Sequence, residues 1–204
     1  MNNQRVLLLE AQLDKDPASA RSQKEFMRIL GTTYAHRNIT VVARDVHTKE
    51  DLKFFLGWAR KDPAYTLIHF VGHGSKSRRS TNLHLTRDTI NLKYESGRKL
   101  FRGLDDRYLL FSCCDIGKDK NMLDTLRRSS GAAGVFAYAV AVYDYQSFLI
   151  DAMLYHLLFG NIPYAEEKRT PKFIKTALDA AIHELHLYQK GRGHGRNVLG
   201  ASVC

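Results

Sequence analysis

Apolar positions along this chain fall alternately into short continuous runs and helically spaced stripes. Val6-Leu7-Leu8-Leu9 lies inside a run over 5–11, which predicts a strand buried on both faces. A polar stretch with Asp16-Pro17 leads into a helical pattern over about 18–31, and the β-branched residues Ile39-Thr40-Val41-Val42 mark a second strand over 38–44. Thr48 is placed to cap a helix over 49–60, where Leu52, Phe55, Leu56 and Ala59 recur at helical spacing and Asp62-Pro63 stops the run. Residues 65–71 form the third strand.

The rhythm then changes. Leu83 to Thr86 and Thr89 to Tyr94 alternate around Arg87-Asp88, which predicts a small β-hairpin set beyond the third strand. Residues 108–112 make a fourth core strand, about 120–129 a helix and about 134–140 a fifth strand. An apolar-faced helix over 146–159 offers Phe148, Ile150, Met153, Leu154, Leu157 and Leu158 for burial; Pro171 starts a last helix over about 172–188, and 197–203 is apolar enough for a sixth strand. Strand-helix alternation of this kind predicts one α/β domain over 1–204, with a mostly parallel six-stranded sheet and helices on both faces. Ligand crevices in such sheets lie at the carboxyl ends of the strands.

Composition narrows the class. Hydrophobic residues make up 44% and charged residues 25%, a globular balance with no repeat or low-complexity tract. The apolar run after Met1-Asn2-Asn3-Gln4-Arg5 is too short for a signal-peptide core, and no stretch reaches a membrane span, so the expectation is a soluble, cytoplasmic protein without membrane partners. Three cysteines, two of them adjacent, build no disulfide framework. The net charge of +10 is spread over several short clusters without interleaved aromatics, so it reads as a solvated basic face rather than a nucleic-acid platform.

Candidate chemistry sits where two of the apolar runs end. Phe70-Val71-Gly72-His73-Gly74-Ser75 closes the third strand and Ser112-Cys113-Cys114-Asp115-Ile116-Gly117 closes the fourth. A thiolate attacks a carbonyl, and a neighbouring histidine favours the thiolate and later protonates the leaving amine, so a His73–Cys114 dyad points to a cysteine peptidase. Strand alternation sets Leu110, Ser112 and Cys114 on one side and Phe111 and Cys113 on the other, which makes Cys113 the packed residue. His69, inside an apolar strand, reads as a hydrogen-bonded core histidine. His183 and His186 share a helix face, but nothing completes a zinc set around them, and no metal or other cofactor is expected.

These motifs resemble the caspase-like cysteine peptidases, in particular the metacaspases and the bacterial CHAT-type proteases. Leu67 to Ser75 is similar to their strand leading into Gly-His-Gly-Ser, and Leu109 to Gly117 to their nucleophile segment. Residues Gly134 to Tyr138 with Val142 to Ser147 are similar to the fifth strand and Asp-Asp-Gln-Thr-Ser stretch of metacaspases. The resemblance implies a caspase-like three-layer sandwich and an endopeptidase acting on protein substrates, with Cys114 as nucleophile and His73 as general base and acid. It also implies an oxyanion hole from the backbone N–H groups of Gly74 and Cys114. A basic residue before the cut is implied, with Asp144 as one pocket acid and Ser112 at the position of the other. Asp144 equally suits a helix N-cap. Some metacaspases need calcium, for which this sequence names no ligands.

The linker 130–133 between the third helix and the fifth strand leaves little room for a processing loop, so activation by a partner protein or ligand is expected over maturation cleavage. Two other functions fit parts of the sequence. One is a latent caspase-like scaffold or regulatory interaction module; the other is a nucleic-acid-binding domain using Arg192-Gly193-His194-Gly195-Arg196.

Overall fold

A computed structural model describes residues 4–11, 22–33, 39–142, 144–160, 170–185 and 198–203, with Asp144 and Tyr145 as backbone only. Six strands form the main sheet: β1 (Arg5–Glu10), β2 (Thr40–Asp45), β3 (Tyr65–Val71), β7 (Tyr108–Ser112), β8 (Gly134–Tyr138) and β9 (Leu199–Val203). Their order is β2-β1-β3-β7-β8-β9, parallel throughout except for β9, which runs antiparallel to β8. Strands buried on both faces have no polar alternation to display, which is why β1, β3, β7 and β8 read as unbroken apolar runs.

Alternation divides these strands between two cores. Leu7, Leu9, Ile68, Phe70, Leu109, Phe111, Val135 and Ala137 face one side, where α2 (Lys49–Lys61) brings Leu52 and Leu56 and α4 (Lys120–Ser130) brings Met122, Leu123 and Leu126. Val6, Leu8, Leu67, Leu110, Phe136 and Tyr138 face the other. Met27 of α1 (Lys24–Thr33), Ile150 and Leu154 of α5 (Asp144–Phe159), and Ile174 and Leu178 of α6 (Pro171–Glu184) cover them. Thr48 caps α2 in a reciprocal box with Asp51, each side chain accepting from the other's backbone N–H. Thr170 and Asp119 cap α6 and α4.

The hairpin region differs from expectation. His73 to Lys76 form a strand of their own, β4 (His73–Lys76), which joins β5 (Thr81–His84) and β6 (Thr89–Asn91) in a three-stranded antiparallel sheet. A histidine, a glycine, a serine and a lysine carry no hydrophobic period, so pairing with β5 rather than local propensity makes this segment extended. β6 ends at Asn91 instead of Tyr94, and a single helical turn, α3 (Glu95–Arg98), follows. α1 begins at Lys24 and runs to Thr33; the expected earlier start, with Asp16-Pro17, lies outside the described residues, as do His186, the end of the expected last helix and Arg192 to Arg196. No helix of the described residues is long and apolar enough to cross a membrane.

Candidate active site at the carboxyl edge of the sheet

β3 and β7 are adjacent parallel strands, and their register pairs Val71 with Ser112. His73 and Cys114 each lie two residues beyond that pair. His73 opens β4 and Cys114 lies in the turn after β7, so both motifs leave the large sheet at its carboxyl edge from adjacent strands. The Gly72 N–H reaches the Ser112 carbonyl at 3.4 Å. Gly74 closes the gap further: a Cβ there would lie 2.4 Å from the Cys114 carbonyl oxygen, 2.8 Å from Ile116 Cγ1 and 3.0 Å from Cys113 Cβ. Only glycine lets β4 pass this close to the cysteine turn.

The turn itself is sharp. Asp115, directly after Cys114, has φ 65°, a left-handed conformation that aspartate tolerates better than most residues. It leads into a 3-10 turn, Ile116–Lys118, whose first N–H donates to the Cys114 carbonyl at 2.9 Å. Asp115 and Lys118 form an ion pair at 2.5 Å. Gly117 is pressed against β8 and β9, and a Cβ on it would meet the Ala137 oxygen at 2.3 Å. The loop carrying Cys114 is thus clamped between the small sheet and the far strands of the large one.

The two cysteines have different surroundings. Cys113 is 1% exposed within the α2/α4 core, and burial, then the neighbouring Cys114 and Asp151, push its thiol well above the ordinary range. Cys114 is partly exposed. His73 is exposed at the start of β4, directly opposite His84 of β5. His84 accepts or donates at 2.8 Å to Ser75 Oγ and at 3.2 Å to Thr89 Oγ1. Partial burial, and then the nearness of His73, lower its pKa.

Beneath the edge, on the α5 side, lies a cluster that sequence reasoning reached only in part. His69, read as a hydrogen-bonded core histidine, is fully buried, with Nδ1 2.9 Å from the Tyr155 hydroxyl and Nε2 2.8 Å from Ser112 Oγ. Ser112, expected at the substrate pocket, is 8% exposed, and its hydroxyl donates to Asp151 Oδ2 at 2.7 Å. Asp151 is fully buried. It also accepts from Gln23 Nε2 at 2.8 Å and from the Tyr138 hydroxyl at 2.6 Å. A single aspartate amid the apolar residues of a buried helix was the signal available for it. Asp144 begins α5, and its side chain lies outside the described residues.

No protein-family model matches the sequence, and no curated protein does. Among solved structures the chain is similar to the Drosophila initiator caspase Dronc, with a TM-score of 0.57 at 9% identity over 99% of this chain and 80% of that one. The fold is caspase-like. At that identity the likeness concerns the path of the backbone and carries no residue role with it.

Proposed function

We propose that this chain is a cysteine endopeptidase in which Cys114 attacks the scissile carbonyl and His73 serves as general base and then general acid. The observation that carries the reading is the common register of the two motifs on adjacent strands of a caspase-like sheet, with Gly74 packed on the Cys114 turn. The contrast between the cysteines supports the choice of nucleophile, because a buried thiol held protonated attacks nothing, whereas a partly exposed one can be reached by substrate.

In this mechanism His73 takes the Cys114 proton, and the thiolate adds to the peptide carbonyl to give a tetrahedral oxyanion. The backbone N–H groups of Gly74 and Cys114 are the proposed donors to that oxyanion, a type of stabilisation worth roughly 3–4 kcal/mol per donor. Collapse expels the amine, which His73 protonates; water then releases the acyl group and regenerates the thiol. Cleavage after a basic residue, with Asp144 as the pocket acid, rests on the likeness of residues 142–147 to the metacaspase stretch. Signalling, stress or defence is the biological setting this chemistry suits.

A fluorogenic peptide library varied at the residue before the cut tests the reading. Turnover after Arg or Lys that vanishes in Cys114→Ala and weakens in Asp144→Ala is expected. Turnover after another residue would remove the specificity assignment and keep the dyad, whereas turnover that survives Cys114→Ala would remove the dyad itself.

A further inference from the structure

Close backbone contacts hold the turn that carries Cys114, and β4 supplies only one of them. Another is a pair of glycines. Gly117 meets the far strands of the large sheet at the step where Ala137 of β8 pairs with Gly200 of β9. A Cβ on Gly200 would stand 2.1 Å from the Gly117 carbonyl oxygen and 2.7 Å from Gly117 Cα, and a Cβ on Gly117 would stand 2.9 Å from the Gly200 nitrogen. Neither residue has a positive φ, so both backbones would accept an L side chain. Space, not conformation, calls for glycine at these positions. The contact is backbone against backbone, with no flexible side chain between to absorb a shift.

The turn is bonded throughout, so a shift at Gly117 is carried to Cys114. Ile116 N–H donates to the Cys114 carbonyl at 2.9 Å, Lys118 N–H to the Asp115 carbonyl at 3.2 Å and Asp119 N–H to the Ile116 carbonyl at 3.3 Å. Ile116 is fully buried, and a Cβ on Gly74 would stand 2.8 Å from its Cγ1, so β4 gives the turn no room to move into. β9 is the edge strand of the large sheet. Its ladder to β8 holds it, together with Leu199 in the α5/α6 core and Ser202, whose Oγ accepts from Arg127 Nε of α4 at 3.0 Å. None of its residues takes part in the proposed chemistry.

We propose that Gly200 is a positioning residue: its backbone contact with Gly117 sets where the nucleophile turn stands, so that β9 governs the placement of Cys114 from outside the site. The inference rests on Cys114 as the nucleophile. A methyl group added at Gly200 has to displace the Gly117 carbonyl, and the turn shifts with it against Gly74. Loosening β9 has a related effect, because it withdraws the surface on which Gly117 rests. Either change disturbs the site while leaving His73, Cys114 and the proposed oxyanion donors chemically intact.

The test is amide hydrogen exchange over residues 113–119, read by mass spectrometry and set beside kcat and KM for peptide cleavage. The full chain is compared as wild type, Gly200→Ala and Ser202→Ala. In Gly200→Ala, exchange over 113–119 is expected to quicken several-fold while residues 65–71 keep the wild-type rate. In the same variant kcat is expected to fall about tenfold to a hundredfold with KM little changed. Turn amides that keep their rate overturn the proposal, and so does a quickened turn in an enzyme whose kcat is unmoved. Where Gly200→Ala exchanges throughout and so fails to fold, Ser202→Ala decides, because it keeps both glycines and removes only the tie of β9 to Arg127. Quickened exchange over 113–119 in that variant supports the proposal, and an unchanged rate there overturns it. Exchange needs no peptide cleavage, so failure of the peptidase reading would show separately, as a wild type that cuts nothing, with the exchange rates still deciding whether β9 holds the turn.

Discussion

Gly74 is the residue on which the candidate site turns most sharply. Its missing Cβ is the space through which β4 approaches the Cys114 carbonyl, and the nearest obstruction is backbone rather than a flexible side chain. Gly74→Ala is expected to cost about 1–3 kcal/mol of stability. It should also cut peptide cleavage roughly a hundredfold at temperatures where the protein stays folded, because the dyad is displaced by a fraction of an ångström to an ångström. Thermal melts beside kinetic assays separate the two effects. A variant as active as the wild type would mean that the close approach has no part in catalysis.

His84 makes a prediction about pH. Its folded pKa lies below the ordinary 6.5, through partial burial first and His73 second. The unfolded chain therefore binds this proton more readily than the folded one, and stability rises with pH across that interval. The contribution is complete above about 6.5 and declines as the pH falls from there through the folded value. Urea midpoints measured from pH 7.5 down to 5 should fall in the wild type and fall less in His84→Gln. Equal slopes would show that His84 is not the group responsible.

At the scale of elements, Asp119 joins what the chain order keeps apart. It caps α4 by accepting from the Met122 N–H, accepts from the Thr81 hydroxyl of β5 at 2.9 Å and pairs with Lys93 at 3.3 Å. Burial works against its charge, but Thr81, Met122 and Lys93 together outweigh it and hold the carboxyl below its ordinary value. Stability from this group is thus present above about pH 3.8 and lost as the pH falls through the lower folded value. Asp119→Asn keeps a capping oxygen and should cost about 1 kcal/mol at neutral pH through the lost ion pair and the weaker acceptor for Thr81. Denaturation curves of variant and wild type should converge under strong acid, and a gap that persists there would contradict the electrostatic account.

The same scale shows what the sequence makes legible. Strands buried on both faces announce themselves as apolar runs, and Thr48 and Pro171 announce the helices they start, so six strands and the α2, α4, α5 and α6 helices are readable in order. β4 is not, because His73-Gly74-Ser75-Lys76 is extended only by virtue of pairing with β5. Asp151 escapes for a related reason. Hydropathy ranks an aspartate as a solvent residue, and only the three donors converging on it from distant parts of the chain make its burial tolerable. Glycines and strand ends single out His73 and Cys114 in the sequence as candidates, whereas the contacts that place Ser112 inward come from α5, some forty residues away.

At the scale of the molecule, the connection that would carry a processing cut is pinned. Only residues 131–133 separate α4 from β8; Gly131 ends the helix at φ 80°, its N–H bonds Arg127 O, its carbonyl accepts from Asp106, and Ala133 N–H bonds Arg107 O at 2.9 Å. A segment held at each step offers a protease little extended chain. We therefore propose activation of the uncut chain, by an ordering partner or ligand or by substrate alone, over maturation cleavage at this point. The basic surface leaves that partner's chemistry open to acidic proteins and ligands.

The most direct measurement is the site of covalent labelling by a peptidyl acyloxymethyl ketone, in which a thiolate displaces the carboxylate leaving group to form a thioether. One adduct is expected on the uncut chain, on Cys114, absent in Cys114→Ala and formed far more slowly in His73→Ala. Labelling that falls on another residue, or that proceeds at an undiminished rate without His73, would contradict the dyad.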